Sequence, residues 1–220
     1  MRRYNMNAII FDVDGTLWDS CQAVANAWNT VFNRYKELNG KTVTAEVAKS
    51  FMGKTSEEIF STLLPDLERQ KMLSIMEECG KEEEVEIAKN GGKLFDNLEK
   101  TLQILSQKYD LYIVSNCQAG YVEAFFAYHK LEKYFKDYEN SGRTGKPKGE
   151  NIKLIIERNA IQKCFYIGDT QGDYNATKVA GIPFLYAKYG FGTVDAEVPF
   201  INSIEELPEK ADSLFQHMEP

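Results

Sequence analysis

Histidine and cysteine are scarce: the 220 residues contain two histidines and four cysteines. His129 and His217 have no partners at metal-ligand spacing and are given no role. Cys21, Cys79, Cys117 and Cys164 lie far apart, with no CxxC pair and no histidine beside them. That pattern argues against zinc and favours free buried thiols. Long hydrophobic runs are missing too. Uncharged apolar stretches such as Ala8-Ile9-Ile10-Phe11 are too short to span a bilayer or to serve as the core of a signal peptide. Arg2-Arg3 lacks the apolar stretch an export signal needs, so no membrane is expected as a partner and a cytoplasmic location is expected by default. No dense Lys/Arg stretch occurs and the formal net charge is −7. Nucleic acid is therefore not expected as a main partner, since its backbone needs concentrated positive charge. A local site can still bind a small anion against that global field. No internal repeat or low-complexity segment is present.

What is there reads as an ordinary globular chain, 43% apolar and 27% charged. Its length exceeds one typical domain without requiring two independent ones. Ile9-Ile10-Phe11 ends abruptly in Asp12, as suits a buried strand that delivers polar groups at its carboxyl end. Val24, Trp28, Val31, Phe32 and Tyr35 then recur at helical spacing. Thr55-Ser56-Glu57-Glu58 reads as a capping box opening a helix with Ile59, Leu63 and Leu64 on one side. Met72 to Lys89 reads as a helix whose charge run is a solvated face. Asn90-Gly91-Gly92 is a hinge or linker.

Beyond it the pattern alternates. Helices are predicted near 97–107, 120–128, after Gly149 and over 173–179. Strands are predicted at 111–115, 165–167, 184–186 and near Phe200. Alternation of this kind implies an α/β fold, a doubly wound parallel sheet with helices on both faces. The all-helical stretch after the first strand breaks the alternation and reads as an insertion. The expected organisation is a core of 1–17 and 92–220 with a helical cap at 18–91.

Three polar clusters follow apolar strands: Asp12-Val13-Asp14-Gly15-Thr16, Ser115-Asn116, and Gly168-Asp169-Thr170-Gln171-Gly172-Asp173. In an open parallel sheet, ligands bind outside the carboxyl ends of the strands. All three clusters are expected to meet there. A calcium loop fails as an explanation, because it needs Gly at its sixth position and Glu at its twelfth. Counting from Asp12 gives Leu17 and Ala23; counting from Asp169 gives Tyr174 and Ala180. Asp173 is also placed to cap the following helix, the lesser of its two readings. Asp12 and Asp14 repel after a buried strand unless a cation compensates them.

These motifs resemble those of the haloacid dehalogenase superfamily: FDVDGTLWDS as the first, YIVSN as the second, a Lys before a helix as the third, and IGDTQGDYNA as the fourth. The insertion after the first motif resembles the C1-type cap of phosphoglycolate phosphatase-like and β-phosphoglucomutase-like members. The resemblance implies a Rossmann-like core and a Mg²⁺-dependent phosphatase. Asp12 would be the nucleophile, and Asp14 the general acid and base. Mg²⁺ would be held by Asp12, the Asp14 backbone carbonyl and Asp169, with Asp173 as a ligand or behind one. Ser115 and Asn116 would bind phosphoryl oxygens, and a lysine would neutralise their charge.

That lysine is Lys146, which precedes Pro147, or Lys148, which sits closer to the helix and is preferred. Gly15 and Thr16 allow the tight turn at the phosphate. Trp18 either lines the substrate entrance or packs at the cap junction. Lys54, in Met52-Gly53-Lys54-Thr55, either contacts the substrate or is a solvated lysine. Tyr189-Gly190-Phe191-Gly192 is either a glycine-rich site loop or a simple turn. Asp at position 14 points to phosphate ester chemistry, because dehalogenases and phosphonatases of the superfamily do not keep it. The expected substrate is a small phosphorylated metabolite, handled by a monomer or homodimer. A phosphomutase acting on sugar phosphates is the alternative.

Overall fold

In a computed structural model that describes residues 7–218, the first apolar run forms β1 (Asn7–Phe11). Arg2 and Arg3 lie outside the described residues. Next come β2 (Trp18–Asp19), α1 (Cys21–Phe32), α2 (Ala45–Lys49), α3 (Ser56–Leu63), α4 (Arg69–Asn90) and β3 (Lys93–Leu94). The chain continues through α5 (Leu98–Leu105), β4 (Asp110–Ser115), α6 (Tyr121–His129), β5 (Phe135–Asn140), α7 (Ser141–Thr144) and α8 (Lys148–Arg158). It ends with β6 (Lys163–Gly168), α9 (Gln171–Ala180), β7 (Phe184–Ala187), β8 (Phe200–Ile201) and α10 (Leu207–His217).

Six strands pair in the order β5-β4-β1-β6-β7-β8, all parallel. Side chains alternate across such a sheet, and both faces are buried here. Ile9, Phe11, Ile113 and Ile167 face a core shared with Leu102 of α5, Phe125 of α6 and Phe215 of α10. Ile10, Val114 and Tyr166 face a second core with Ile152 and Ile155 of α8 and Ala176 of α9. The sheet is doubly wound, as expected. β1 lies between β4 and β6, so the chain leaves it in opposite directions along the sheet. That switch point is where an open α/β sheet forms its crevice.

The helical stretch between β1 and β4 packs α1 against α4 and buries Val24, Trp28, Val31 and Phe32. Tyr35 lies beyond the end of α1 and is half-buried. The capping box at Thr55 forms, but Phe60 and Leu64 are the buried residues behind it, with Ile59 and Leu63 half-buried. α4 ends at Gly91, whose φ of 65° is one that a side chain disfavours. β2 and β3 then pair antiparallel, Trp18 opposite Leu94 and Asp19 opposite Lys93. This ribbon ties together the two crossings between the helical stretch and the sheet.

Besides the short β2, β3, α2 and α7, two longer or sheet-forming elements lie outside the sequence pattern, β5 and α10. β5 reads FKDYEN, an edge strand whose charges hide its alternation. α10 buries only Leu207, Ala211 and Phe215, a narrow stripe. Among the described residues no helix is long and apolar enough to cross a membrane. The cysteines are free; Cys21, Cys79 and Cys164 are buried and Cys117 is half-buried.

Candidate active site

The strand ends place Asp12 after β1, Ser115 at the end of β4 and Asp169 after β6 at one edge of the sheet. Asp12, Asp169 and Asp173 are all buried, and one carboxylate oxygen of each lies within 4.8 Å of the others. Three carboxylates this close repel strongly. The Lys148 ammonium meets two of them, 3.0 Å from Asp12 Oδ1 and 2.6 Å from Asp173 Oδ1. Burial works against the Lys148 charge, but Asp12 and Asp173 outweigh it and hold its pKa above the ordinary lysine value. Burial likewise raises the Asp12 carboxyl; Lys148 opposes the shift, while Asp173 and Asp169 add to it. Asp169 is pushed up to about 7, first by burial and then by Asp173, against the pull of two backbone amides.

Those amides belong to Phe191 and Gly192, which donate to Asp169 Oδ2 at 2.7 and 3.3 Å. The loop after β7 is therefore part of the site and not a simple turn. Tyr189 anchors it by donating from its hydroxyl to the Thr16 carbonyl at 2.8 Å. Asp169 Oδ1 has no hydrogen-bond partner among the described residues, although its residue is fully buried. An orphaned carboxylate oxygen next to a second carboxylate fits a hard divalent cation with oxygen ligands. Asp173 fits that role less well. Its Oδ2 accepts from Thr170 Oγ1 at 2.7 Å and from the Thr170 and Asp169 amides, while Oδ1 takes Lys148. It caps α9 and contacts Lys148, which suits the second of the two places expected for it, behind a ligand.

Asp14 is held differently. Its Oδ1 accepts from Ser20 Oγ at 2.6 Å, Tyr121 Oη at 2.7 Å and Trp18 Nε1 at 2.9 Å. Burial raises its pKa, and the bonds from Ser20, Tyr121 and Trp18 restrain the rise. A carboxyl pushed up in this way can hold a proton for a leaving group. Gly15, at φ 78°, packs against the cluster: a Cβ there would sit 2.2 Å from Asp169 Oδ2. Asp12 and Asp14 open into a cavity of about 900 Å³, also lined by Ser115, Asn116, Lys54 and Lys146. Apolar side chains of the helical stretch, including Trp28, Phe51 and Phe60, also line it.

The family model for haloacid dehalogenase-like hydrolases matches residues 9–187. The chain belongs to that family. A phosphoglycolate phosphatase from Shigella boydii is 26% identical over 219 residues, covering 87% of this chain and 85% of that protein. Among solved structures, a haloacid dehalogenase-like hydrolase from Bacteroides fragilis is 26% identical with a TM-score of 0.78, covering 93% of this chain and 100% of that one. A haloacid dehalogenase-like family hydrolase from Streptococcus pneumoniae, 24% identical, has a TM-score of 0.79 over 93% of this chain and 97% of its own. The similarity puts this haloacid dehalogenase-like hydrolase on the phosphoglycolate phosphatase-like branch, among phosphatase enzymes.

In this hydrolase, Lys148 and not Lys146 reaches the carboxylates; Lys146 is exposed at the cavity wall. Trp18 does not line the entrance. It is fully buried, its indole donates to Asp14, and its ring packs edge-on against Tyr121, Phe125 and His129. Thr16 is also fully buried and turned away from the cavity lining. Ser115 Oγ accepts from the Cys117 amide at 3.4 Å. Asn116 Nδ2 donates to the Gly53 carbonyl at 2.8 Å, joining the loop before α3 to the sheet edge. Lys54, in that loop, is exposed and stands over the Phe51 ring.

Three residues around the site were not singled out from the sequence. Ser20 closes the first motif but carries no spacing signal of its own. Tyr121 meets Asp14 across 107 positions, and no local pattern announces it. Glu83 lies within the charge run of α4 but is only 6% exposed, which corrects the reading of that run as a wholly solvated face. It accepts from the Trp28 indole and, at 2.7 Å, from Gln118 Nε2.

Burial pushes the Glu83 carboxyl from 4.5 up to about 7. Between those values the folded chain keeps a proton that the unfolded chain loses. Glu83 therefore favours folding fully below about pH 4.5, and that contribution is lost as pH rises toward 7. Glu83→Gln is expected to remove up to roughly 3 kcal/mol of this decline. Urea unfolding of both proteins at pH 5 and pH 8 checks it: equal pH dependence in the two would count against a buried, protonated Glu83.

Proposed function

We propose that the chain is a Mg²⁺-dependent phosphatase that hydrolyses a small phosphate monoester through an aspartyl-phosphate on Asp12. The observation that carries this reading is the bridge of Lys148 between Asp12 and Asp173, beside the orphaned Oδ1 of Asp169. Asp12 and Asp169 would hold the cation, together with the Asp14 backbone carbonyl, and Asp173 would stand behind them. When bound, Mg²⁺ would offset the charge that otherwise keeps an anionic phosphate from an anionic nucleophile.

The residues then divide the work. The Asp12 carboxylate attacks phosphorus while Asp14 gives its proton to the leaving oxygen. Asp14, ionised by that step, takes a proton from the water that hydrolyses the acyl phosphate. Ser20, Tyr121 and Trp18 keep Asp14 aimed through both halves of the cycle. Ser115, the Asn116 amide and Lys148 receive the phosphoryl oxygens as charge moves onto them. Gly15 and Thr16 supply the tight turn that brings the backbone close.

Residues 18–91 would act as a cap over a core of 1–17 and 92–220. The bonds from Asn116 to Gly53 and from Gln118 to Glu83 support a closed arrangement that keeps bulk water from the phosphate. The substrate is a small phosphorylated metabolite of the cytoplasm.

Hydrolysis of p-nitrophenyl phosphate tests the reading. Phosphate release is expected with Mg²⁺, with a loss of at least about 100-fold on chelation that added Mg²⁺ reverses. Full activity in a chelated, metal-free sample would refute the metal requirement. Transfer of phosphate to a hexose instead of to water would favour a mutase.

A further inference from the structure

The cavity has an uneven charge lining. Among the described residues, the buried charged side chains at the site are Asp12, Asp14, Asp169, Asp173, Glu83 and one cation, Lys148. Lys148 is already engaged by Asp12 and Asp173. The other lysines of the cavity lie at its exposed rim: Lys54, Lys146 and Lys81, the last paired with Glu77 at 2.7 Å. Beside the reacting phosphate, the cavity therefore offers a second anion no buried cation.

Glu83 is the buried charged group that the helical stretch contributes to the cavity. It is fixed from two sides, by Trp28 of α1 and by Gln118 of the loop after β4. Each of its oxygens takes one donor in this way, and a carboxylate oxygen accepts two. Glu83 shares its cavity with the reacting groups: Asp12, Asp14 and Tyr121 line the same space, and the Tyr121 hydroxyl donates to Asp14 at 2.7 Å. Above about pH 7, where Glu83 gives up its proton, a short carboxylate on the leaving group would share the cavity with that charge and be repelled by it. Hydroxyl or ammonium groups in the same place would be accepted. The cavity, at about 900 Å³, also exceeds what a two-carbon acid needs.

We infer that Glu83 sets substrate class: the favoured phosphate ester has a leaving group with no second anion near the phosphorus, and it presents hydroxyl or ammonium donors to Glu83. The inference rests on the phosphatase reading above. It separates this chain from the substrate named for its curated relatives, phosphoglycolate, whose carboxylate lies next to the phosphate ester.

Purified full-length protein with Mg²⁺ is assayed at pH 8, where Glu83 is ionised, for phosphate release from glycerol phosphate, ethanolamine phosphate, phosphoglycolate and p-nitrophenyl phosphate. The better of the first two is expected to exceed phosphoglycolate in kcat/KM by at least about tenfold, chiefly through KM. Comparing glycerol phosphate with ethanolamine phosphate tells a hydroxyl from an ammonium donor. In Glu83→Gln the ratio to phosphoglycolate is expected to fall by about tenfold, because the repulsion is gone.

A wild-type ratio of one or below overturns the inference, as does a ratio unchanged in Glu83→Gln; should that variant not fold, the wild-type ratio decides alone. The p-nitrophenyl phosphate arm separates the two readings. Asp12-dependent turnover there with the wrong ratio sinks only the assignment of Glu83. No turnover of any ester sinks the phosphatase reading and this inference with it.

Discussion

Asp12→Asn is expected to lower kcat by about 10⁴-fold or more while leaving the chain folded. The amide keeps the shape of the carboxyl but has no nucleophilic oxygen anion, so the covalent step cannot start. Stability is expected to change little in the opposite sense to activity. Asp12 is 2% exposed in a cluster of three carboxylates served by one ammonium, and removing one charge relieves repulsion. Single-turnover phosphate release and thermal unfolding, measured on the same sample, check both halves. Retained hydrolysis in a folded Asp12→Asn protein would mean that another group attacks phosphorus.

Lys148→Ala is expected to cost both function and stability. Lys148 is 5% exposed, and its loss leaves Asp12 and Asp173 facing each other without a counter-charge. Breaking a buried pair from one side costs about 3–5 kcal/mol, because the remaining charges are stranded. Phosphate hydrolysis is expected to fall by about 10³-fold, from the lost stabilisation of the phosphoryl oxygens and the misplacement of Asp12. The exposed Lys146 provides the control, with Lys146→Ala expected to stay within a few-fold of wild type. Equal, mild effects of the two substitutions would remove Lys148 from the site.

These two lysines show where reading the chain stops. Lys146 lies just before α8 and Lys148 is its first residue, and both suit a phosphate site, so sequence spacing leaves them nearly equivalent. The backbone separates them: Lys148 opens the helix and turns inward beneath α9, whereas Lys146 remains on the loop outside. Trp18 shows the same limit, since the sequence leaves it either at the substrate entrance or packed at the cap junction. A large aromatic next to a catalytic motif suggests a substrate platform. Its burial under α6 and its bond to Asp14 make it a support for the acid instead.

The sequence by itself determined five of the sheet's six strands, the longer inserted helices and the three strand-end clusters, because each depends on local signals: apolar runs, helical spacing, and polar residues that end a strand. Only the tertiary structure decided which oxygen of the Asp12–Asp169–Asp173 cluster is left without a partner, which lysine enters it, and that Tyr121 holds Asp14 from 107 positions away. It also decided that Glu83, one acid in a run of acids, faces inward. Burial and hydrogen bonding are set by what packs opposite a residue, and that partner comes from a distant part of the chain.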